Sequence, residues 1–267
     1  MYRMLNSKIA AYLEEANDDP ATSCDVLKEL GIHYAVLRYI WADNICDIPD
    51  AGCGRLKKIL DAKGITPIAI ATRIGEVPAD TLTTQNPDRA FNIAQYFKVQ
   101  YVRFQIGLKT TKHAYTDIDE WLEKVAKLSI QYNIIPMFEV TNDAYITKPT
   151  ELASILTKHK RWKLLYDPVQ FILKQNQDPF VKFWTLLKQF VAAIDVRDMK
   201  IGRGFKPPGF GDARILQTID DAMNSNYRGW FFFEPSLGKK HGNALTKSET
   251  FKLAFQVLKQ HGEHYGS

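Results

Sequence analysis

The sequence contains few cysteines, and they are not arranged as a metal site. Only Cys24, Cys46 and Cys53 occur among 267 residues, with no C-x-x-C pair and no histidine at ligand spacing. This pattern excludes a disulfide framework and a cysteine-based zinc site. We expect three reduced thiols with structural roles.

Long hydrophobic runs are also missing. The longest apolar stretches, such as GWFFFEP at 229–235, fall far short of the roughly 20 residues that span a bilayer. The first residues, MYRMLNSKIAAYLEE, contain neither a clean apolar signal region nor a small-residue cleavage site. We therefore expect a cytoplasmic protein with no membrane partner.

No charge stripe or nucleotide motif stands out. The formal net charge is only +5, the basic residues are spread along the chain, and the densest pair is Lys239–Lys240. Nucleic-acid binding usually shows a stronger basic stripe, so we expect no such partner. No G-x-G-x-x-G follows the first predicted strand, which argues against a nicotinamide or ATP cofactor. The segment GRGFKPPGFG at 202–211 contains two prolines, and this predicts a structured loop rather than a phosphate cradle.

What the sequence does contain is an almost continuous alternation of short apolar runs and amphipathic stretches. The runs predict eight strands: Ile9–Leu13, Tyr34–Tyr39, Pro67–Thr72, Tyr101–Ile106, Ile135–Val140, Lys163–Asp167, Ala192–Val196 and Trp230–Glu234. Eight β/α units without a linker predict a single-domain (β/α)₈ TIM barrel over residues 1–267. A doubly wound open sheet is the rival architecture, and the strand count favours the barrel.

Helix signals agree with this alternation. The apolar spacing predicts helices at 117–132 and 179–190, and a last helix that begins near a Ser248 cap. Gly31, Gly64 and Asn133 stand where helices should end before the next strand.

Four carboxylates lie at or near the ends of the last four predicted strands: Glu139, Asp167, Asp195 and Glu234. In a (β/α)₈ barrel these strand ends meet at one face, where catalytic groups are found. Four ionised acids need compensation in a shared site, because like charges raise one another's pKa. A divalent cation provides it, and an all-oxygen ligand set suits Mg²⁺ or Mn²⁺.

Arginines near other strand ends leave a second explanation open. Arg38, Arg73, Arg103 and Arg197 lie there, and a metal-free network of arginine–carboxylate ion pairs would also satisfy buried acids. The same guanidinium groups are candidate forks for a phosphate or carboxylate of a substrate. Lys200 and Lys206 flank the loop after strand seven and are candidate contacts for an anionic substrate group, or else solvated surface lysines.

Over nearly its whole length the chain resembles the xylose isomerase-like sugar phosphate isomerase/epimerase superfamily of TIM barrels. The segments that carry the resemblance are VLR (36–38), FEVTN (138–142), YDPVQF (166–171), IDVRDMK (194–200), PPGFGD (207–212) and YRGWFFFEPS (227–236). Their order and spacing are typical of the superfamily, though not of one activity within it.

The resemblance implies that Glu139, Asp167 and Glu234 are metal ligands. It also implies that Glu139 and Glu234 face each other across the substrate and exchange protons with its carbon. Asp195 stands where the family usually has a metal-binding histidine, so the ligand set becomes four carboxylates. Gln170 stands where a further histidine is often found, and we group it with Arg38, Arg103, Arg197, Lys200 and Lys206 as substrate-binding candidates. Of the six histidines only His241 follows a strand end, and we expect a surface residue there.

The function expected from these features is an isomerase or epimerase of a small sugar or sugar-derived acid. It would use one Mg²⁺ or Mn²⁺ and transfer a proton through an enediolate between the two glutamates. A dehydratase shares this step and is an alternative. A metal-free or non-catalytic sugar- or anion-binding barrel is the competing class. Members of the superfamily often associate, so a homo-oligomer is a possible assembly.

Overall fold

The chain folds into a closed barrel of parallel strands. The structure is a computed structural model that describes residues 8–175, 178–237 and 245–264. The eight barrel strands, numbered one to eight below, are Ile9–Tyr12, Tyr34–Leu37, Thr66–Ala71, Tyr101–Gln105, Ile135–Glu139, Lys163–Tyr166, Val191–Val196 and Trp230–Phe233. Each lies within two residues of its predicted bounds, so the predicted α/β barrel is confirmed.

Strands one and eight close the barrel. Each strand pairs in parallel with its sequence neighbour, and Ile9 and Ala11 pair with Phe231 and Phe233 across the seam. Strand seven pairs with strand eight, and Phe232 lies opposite Asp195. All eight carboxyl ends therefore point toward one face of the barrel.

Helices cover the outside of the barrel between the strands. The α-helices are Leu13–Ala16, Pro20–Glu29, Asp50–Lys63, Asp88–Phe97, Tyr115–Gln131, Pro149–Lys158, Pro168–Gln175, Thr185–Leu187, Ile215–Asn224 and Lys247–His264, and Ala79–Thr84 is a 3₁₀-helix. The helix predicted at 179–190 is present but irregular: a π-helical turn at Phe180–Trp184 precedes the short α-helix, and a 3₁₀ turn at Lys188–Phe190 follows it. None of the described helices is long and apolar enough to cross a membrane.

Most predicted helix ends are confirmed, but one cap was wrong. Gly31, Gly64 and Asn133 all have positive φ directly after a helix, as a left-handed C-terminal residue requires. The last helix is capped by Thr246, whose hydroxyl accepts a bond from the Glu249 amide while the Glu249 carboxylate accepts one from the Thr246 amide. This is a reciprocal capping box. Ser248 instead donates to the Ala16 carbonyl and so connects the last helix to the end of the short helix Leu13–Ala16.

The barrel interior has an apolar lower part and a charged upper part. Tyr101, Met137, Leu165 and Phe232 belong to a buried apolar cluster inside the strands. The larger core lies between strands and helices, where Phe104 meets Trp121 and Trp162 edge-on. The three cysteines are free thiols, as expected.

Two hairpins extend from the carboxyl face. One follows strand two and pairs Tyr39–Ile40 with Asp43–Asn44, and the other follows strand seven and pairs Asp198–Lys200 with Gly204–Lys206. The second hairpin confirms the structured loop predicted at 202–211. The side chain of Asp198 holds it, because its two oxygens accept bonds from the amides of Met199, Gly209, Gly211 and Ala213.

Candidate active site

The four predicted carboxylates meet at the carboxyl face of the barrel. Glu139 is the last residue of strand five, Asp195 lies in strand seven, and Asp167 and Glu234 directly follow strands six and eight. All four side chains are buried. Their position follows from the alternation along each strand, which turns every second side chain inward.

Three of these acids form a compact cluster. One carboxylate oxygen from each of Glu139, Asp167 and Asp195 lies within 4.8 Å of the other two. Asp195 is 0% exposed, and neither of its oxygens has a hydrogen-bond partner among the described residues. Since a buried carboxylate without a partner is costly, the chemistry of this cluster fits a cation that takes oxygen ligands.

Glu234, the fourth carboxylate of the expected ligand set, is not part of this three-residue cluster. Its Oε1 accepts a bond of 2.8 Å from Arg38 and one of 3.3 Å from the Ser236 hydroxyl, and it lies 3.6 Å from an Arg197 nitrogen. With its oxygen held by these groups, a role for Glu234 as a metal ligand remains a prediction.

Three buried arginines pair with the acids. Arg103 Nε lies 3.3 Å from Glu139, and the same guanidinium donates to the Thr72 carbonyl. Arg197 donates to Asp167 at 2.9 Å. Arg38 bonds Glu14 at 2.5 Å as well as Glu234. The ion-pair network that the sequence left open is therefore present, and it coexists with the unpartnered Asp195.

Acids outnumber arginines at this face. Six described carboxylates, Glu14, Glu15, Glu139, Asp167, Asp195 and Glu234, share the three guanidinium groups of Arg38, Arg103 and Arg197. Burial raises the pKa of Asp195 well above its usual value, and the charges of Glu234 and Glu139 add to this. Burial also raises the pKa of Asp167, to about 7, although Arg197 opposes the shift. Ionising these acids together is therefore unfavourable in the metal-free protein, and a divalent cation would offset that cost.

Glu234 differs from Asp167 and Asp195, because its pKa is lowered. Burial acts against its ionisation, but Arg197 and Arg38 outweigh burial and hold the pKa of Glu234 at about 2. Glu234 is therefore a carboxylate at neutral pH, held in one orientation by its donors.

The other predicted site residues lie either beside the clustered carboxylates or on the exposed surface around them. Gln170 donates to Glu139 at 3.4 Å and accepts from the Asn142 amide, so it lies at the site. Lys200 bonds Asp212 at 2.5 Å on the exposed hairpin, and Lys206 lines a groove beside the last helix. Arg73 is 63% exposed and pairs with Glu76. A substrate contact by either lysine stays a prediction.

The histidines contribute nothing to the described part of the site. His159, directly after the helix Pro149–Lys158, is buried and bonds Asp119 at 2.7 Å, and neither residue belongs to the carboxylate cluster. His241 lies outside the described residues.

Three residues at the mouth were missed in the sequence. Tyr12 ends strand one, and Glu14 and Glu15 follow it in a short helix. Arg38 lies 4.2 Å from the centre of the Tyr12 ring and bridges Glu14 to Glu234. The sequence could have indicated these residues. Tyr12 is two positions after Ala10 on strand one, so both side chains point inward, and two glutamates follow shortly after the end of that strand.

A family comparison agrees with this geometry. The family model described as xylose isomerase-like TIM barrel matches residues 24–260. The chain belongs to this family. No curated protein sequence matches it.

Solved structures share the fold of this xylose isomerase-like barrel at low sequence identity. A xylose isomerase-like TIM barrel protein from Mycobacterium smegmatis in complex with magnesium is 16% identical with a TM-score of 0.67, covering 95% of this chain and 97% of that one. The 3-keto-D-glucoside 4-epimerase of E. coli is 10% identical with a TM-score of 0.72, covering 95% and 99%. The probable 3-DHS dehydratase of Bacillus anthracis is 12% identical with a TM-score of 0.69, covering 94% and 98%. The family thus has epimerase and dehydratase neighbours in structure.

Proposed function

We propose that this protein is a divalent-metal-dependent isomerase or epimerase of a small sugar or sugar-derived acid. One Mg²⁺ or Mn²⁺ would be held by Glu139, Asp167 and Asp195. The observation that carries the proposal is the three-carboxylate cluster, whose oxygens lie within 4.8 Å of one another, together with the unpartnered oxygens of Asp195. A set of hard oxygen ligands favours these two ions over softer metals.

The chain's own residues supply the proton transfer in this proposal. A bound cation would polarise a carbonyl or hydroxyl oxygen of the substrate and make the adjacent C–H more acidic. Glu234, ionised and oriented by Arg38 and Arg197, takes that proton, and the C–H electron pair moves into the carbon–carbon bond of an enediolate. Glu139, oriented by Arg103 and Gln170, lies on strand five; it takes up a proton from water and passes it to carbon as the enediolate returns to a carbonyl, and Glu234 releases its own proton to water. A carboxylate on each side allows either stereochemical outcome.

The arginine network supports a second candidate, a metal-free barrel that binds a sugar or an anion. Each of Arg38, Arg103 and Arg197 already pairs with a carboxylate, so the acids are partly neutralised without a cation. A dehydratase is a variant of the first candidate, because it begins with the same abstraction of a proton from carbon.

A thermal-shift titration of the metal-stripped protein separates these candidates. We expect saturable stabilisation by Mn²⁺ or Mg²⁺, about 2.7 kcal/mol at a hundredfold excess over Kd, because the ion binds only the folded state. Asp195→Asn should abolish this shift and also melt higher than the parent without metal, since it removes a buried, unpartnered charge. Asp221→Asn, which removes a carboxylate bonded to Trp184 away from the cluster, should keep the full metal shift.

Activity is read by deuterium exchange into the carbon-bound position of ketoses in D₂O. Glu234→Gln should retain the metal shift and lose exchange. If no metal shifts the melting temperature of the parent while Asp195→Asn still melts higher, the metal-free barrel is the better description.

A further inference from the structure

The hydroxyl of Tyr12 is buried without a partner. Tyr12 is 0% exposed, and its hydroxyl makes no hydrogen bond to the described residues. Two other tyrosine hydroxyls are satisfied: the buried Tyr166 donates to the Pro179 carbonyl at 2.8 Å, and the half-buried Tyr227 donates to the Trp230 carbonyl at 3.3 Å. Since buried phenol groups usually find a partner, the exception at Tyr12 points to a group that is absent from the protein itself.

Tyr12 lies inside the barrel at the level of the carboxylates. Its ring meets Phe232 edge-on at 6.1 Å, and the Arg38 guanidinium lies 4.2 Å from the ring centre. Ala11 pairs with Phe233, so the next residues along the two strands, Tyr12 and Glu234, end side by side. The phenol is thus held by packing and not by any bond to its oxygen.

Two carboxylates at the same end of the barrel, Glu14 and Asp195, also have oxygens with no hydrogen-bond partner among the described residues, and Asp195 lies on the other side of strand eight. Strands one and seven both pair with strand eight, which separates their backbones by roughly 9–10 Å at the usual strand spacing. A cation held through one oxygen of Asp195 would leave the second oxygen as an acceptor. Tyr12 therefore offers an unused donor, and Glu14 and Asp195 offer unused acceptors, among the described residues at this end of the barrel.

A sugar hydroxyl matches this arrangement because it both accepts and donates. A phosphate or carboxylate does not, because it would only accept and would bring negative charge against Asp195. The arginines at the mouth do not offset that charge, since Arg38, Arg103 and Arg197 are each already paired with a carboxylate.

We propose that Tyr12 is a substrate-binding residue whose hydroxyl donates to an oxygen at the uncharged, hydroxyl-bearing end of the sugar. The inference rests on the proposed function and narrows its substrate class. A phosphorylated end of the sugar cannot lie beside Tyr12 and Asp195 inside the barrel.

The test compares Tyr12→Phe with the parent. Binding of D-fructose, D-xylulose and D-ribulose, and of the terminal phosphate ester of each, is measured by calorimetry with and without Mn²⁺. We expect at least one free ketose to bind more tightly than its ester, and Tyr12→Phe to weaken that binding about tenfold, as loss of one hydrogen bond predicts. The variant should keep the parent's metal shift and should not melt lower in the absence of ligand.

Tyr166→Phe is the matched control. It removes a phenol that is bonded within the helical layer, so we expect a lower melting temperature with unchanged ketose binding. The proposal fails if phosphate esters bind more tightly, if no free ketose binds, or if Tyr12→Phe binds like the parent. These results can be distinguished from failure of the metal site. The shift in melting temperature caused by metal is measured without sugar, and the ketose Kd values of Tyr12→Phe and the parent are also compared without metal.

Discussion

Two buried aspartates in neighbouring positions show opposite ways of keeping a carboxylate away from water. Asp198 accepts four backbone amide bonds, so its charge is satisfied by the loop that it organises. Asp195 accepts none from the described residues. A residue that is retained at such a cost is typical of a functional site, where stability is given up for binding. We therefore place the chemistry at Asp195 and a structural role at Asp198.

At the residue scale, Asp221 should make stability depend on pH. Burial acts against its ionisation, but bonds from the Trp184 indole at 2.7 Å and from Lys188 at 3.0 Å outweigh burial and lower its pKa. A lowered folded-state pKa gives stability that is present above the unfolded value, about 4, and is lost as pH falls through the folded value. Asp221→Asn should therefore lower the free energy of unfolding by about 1 kcal/mol at pH 7, and the difference should shrink toward pH 3.

Urea denaturation across this pH range measures the difference. Asp61→Asn is the control, because Asp61 is exposed and pairs only with Lys57, and exposed pairs contribute little to stability. A constant difference between Asp221→Asn and the parent from pH 7 to pH 3 would contradict the assignment.

At the scale of elements, the loop after strand seven depends on one carboxylate. Asp198→Ala removes four amide bonds at once, and we expect a loss of about 3 kcal/mol of unfolding free energy with faster amide exchange at Gly209, Gly211 and Ala213. Gly211→Ala should have a similar effect, because a Cβ there would lie 2.1 Å from the Asp198 oxygen. Hydrogen exchange followed by mass spectrometry measures the exchange rates of the amides in this loop directly.

Lys200→Met is the control for this loop. It removes the exposed ion pair with Asp212 and leaves the Asp198 bonds in place. We expect nearly unchanged exchange at the three amides. Equal loosening in Lys200→Met and Asp198→Ala would mean that surface charge, and not the buried carboxylate, holds the hairpin.

At the scale of the whole molecule, stability depends on every strand of the closed barrel keeping both neighbours, including the pairing of strand eight with strand seven. Gly229 leads into strand eight, and a Cβ there would lie 2.3 Å from the Ala192 carbonyl oxygen of strand seven. Gly229→Ala should lower the free energy of unfolding by about 3 kcal/mol, at the upper end of overpacking costs. Because a closed barrel has no independent edge, circular dichroism and tryptophan fluorescence should report the same lowered urea midpoint.

Gly31→Ala provides the comparison. Its φ is +74° and no atom lies within 4 Å of the added Cβ, so it measures backbone strain alone, about 1 kcal/mol. If Gly229→Ala costs no more than Gly31→Ala in unfolding free energy, the contact between strands seven and eight tolerates local expansion and the argument from closure is wrong.

Much of the fold follows from local pattern. The eight apolar runs and the glycines at 31 and 64 were readable because strand burial and helix ends depend on neighbouring residues. The cap of the last helix was misassigned because Ser248 and Thr246 are both good caps, and only the contact of Ser248 with the Ala16 carbonyl decides between them. That contact joins residues 232 positions apart.

The sequence by itself determined the barrel and the inward acids at the ends of strands five to eight, because alternation within each strand sets which side chains share the carboxyl face. Only the tertiary structure decided how those acids divide. Glu139, Asp167 and Asp195 converge. Arg38, which directly follows strand two, instead bonds both Glu234 and Glu14. Such pairing depends on side chains from strands that are distant in sequence. For the same reason, only the three-dimensional structure shows that the Tyr12 hydroxyl and the Asp195 oxygens have no hydrogen-bond partner among the described residues.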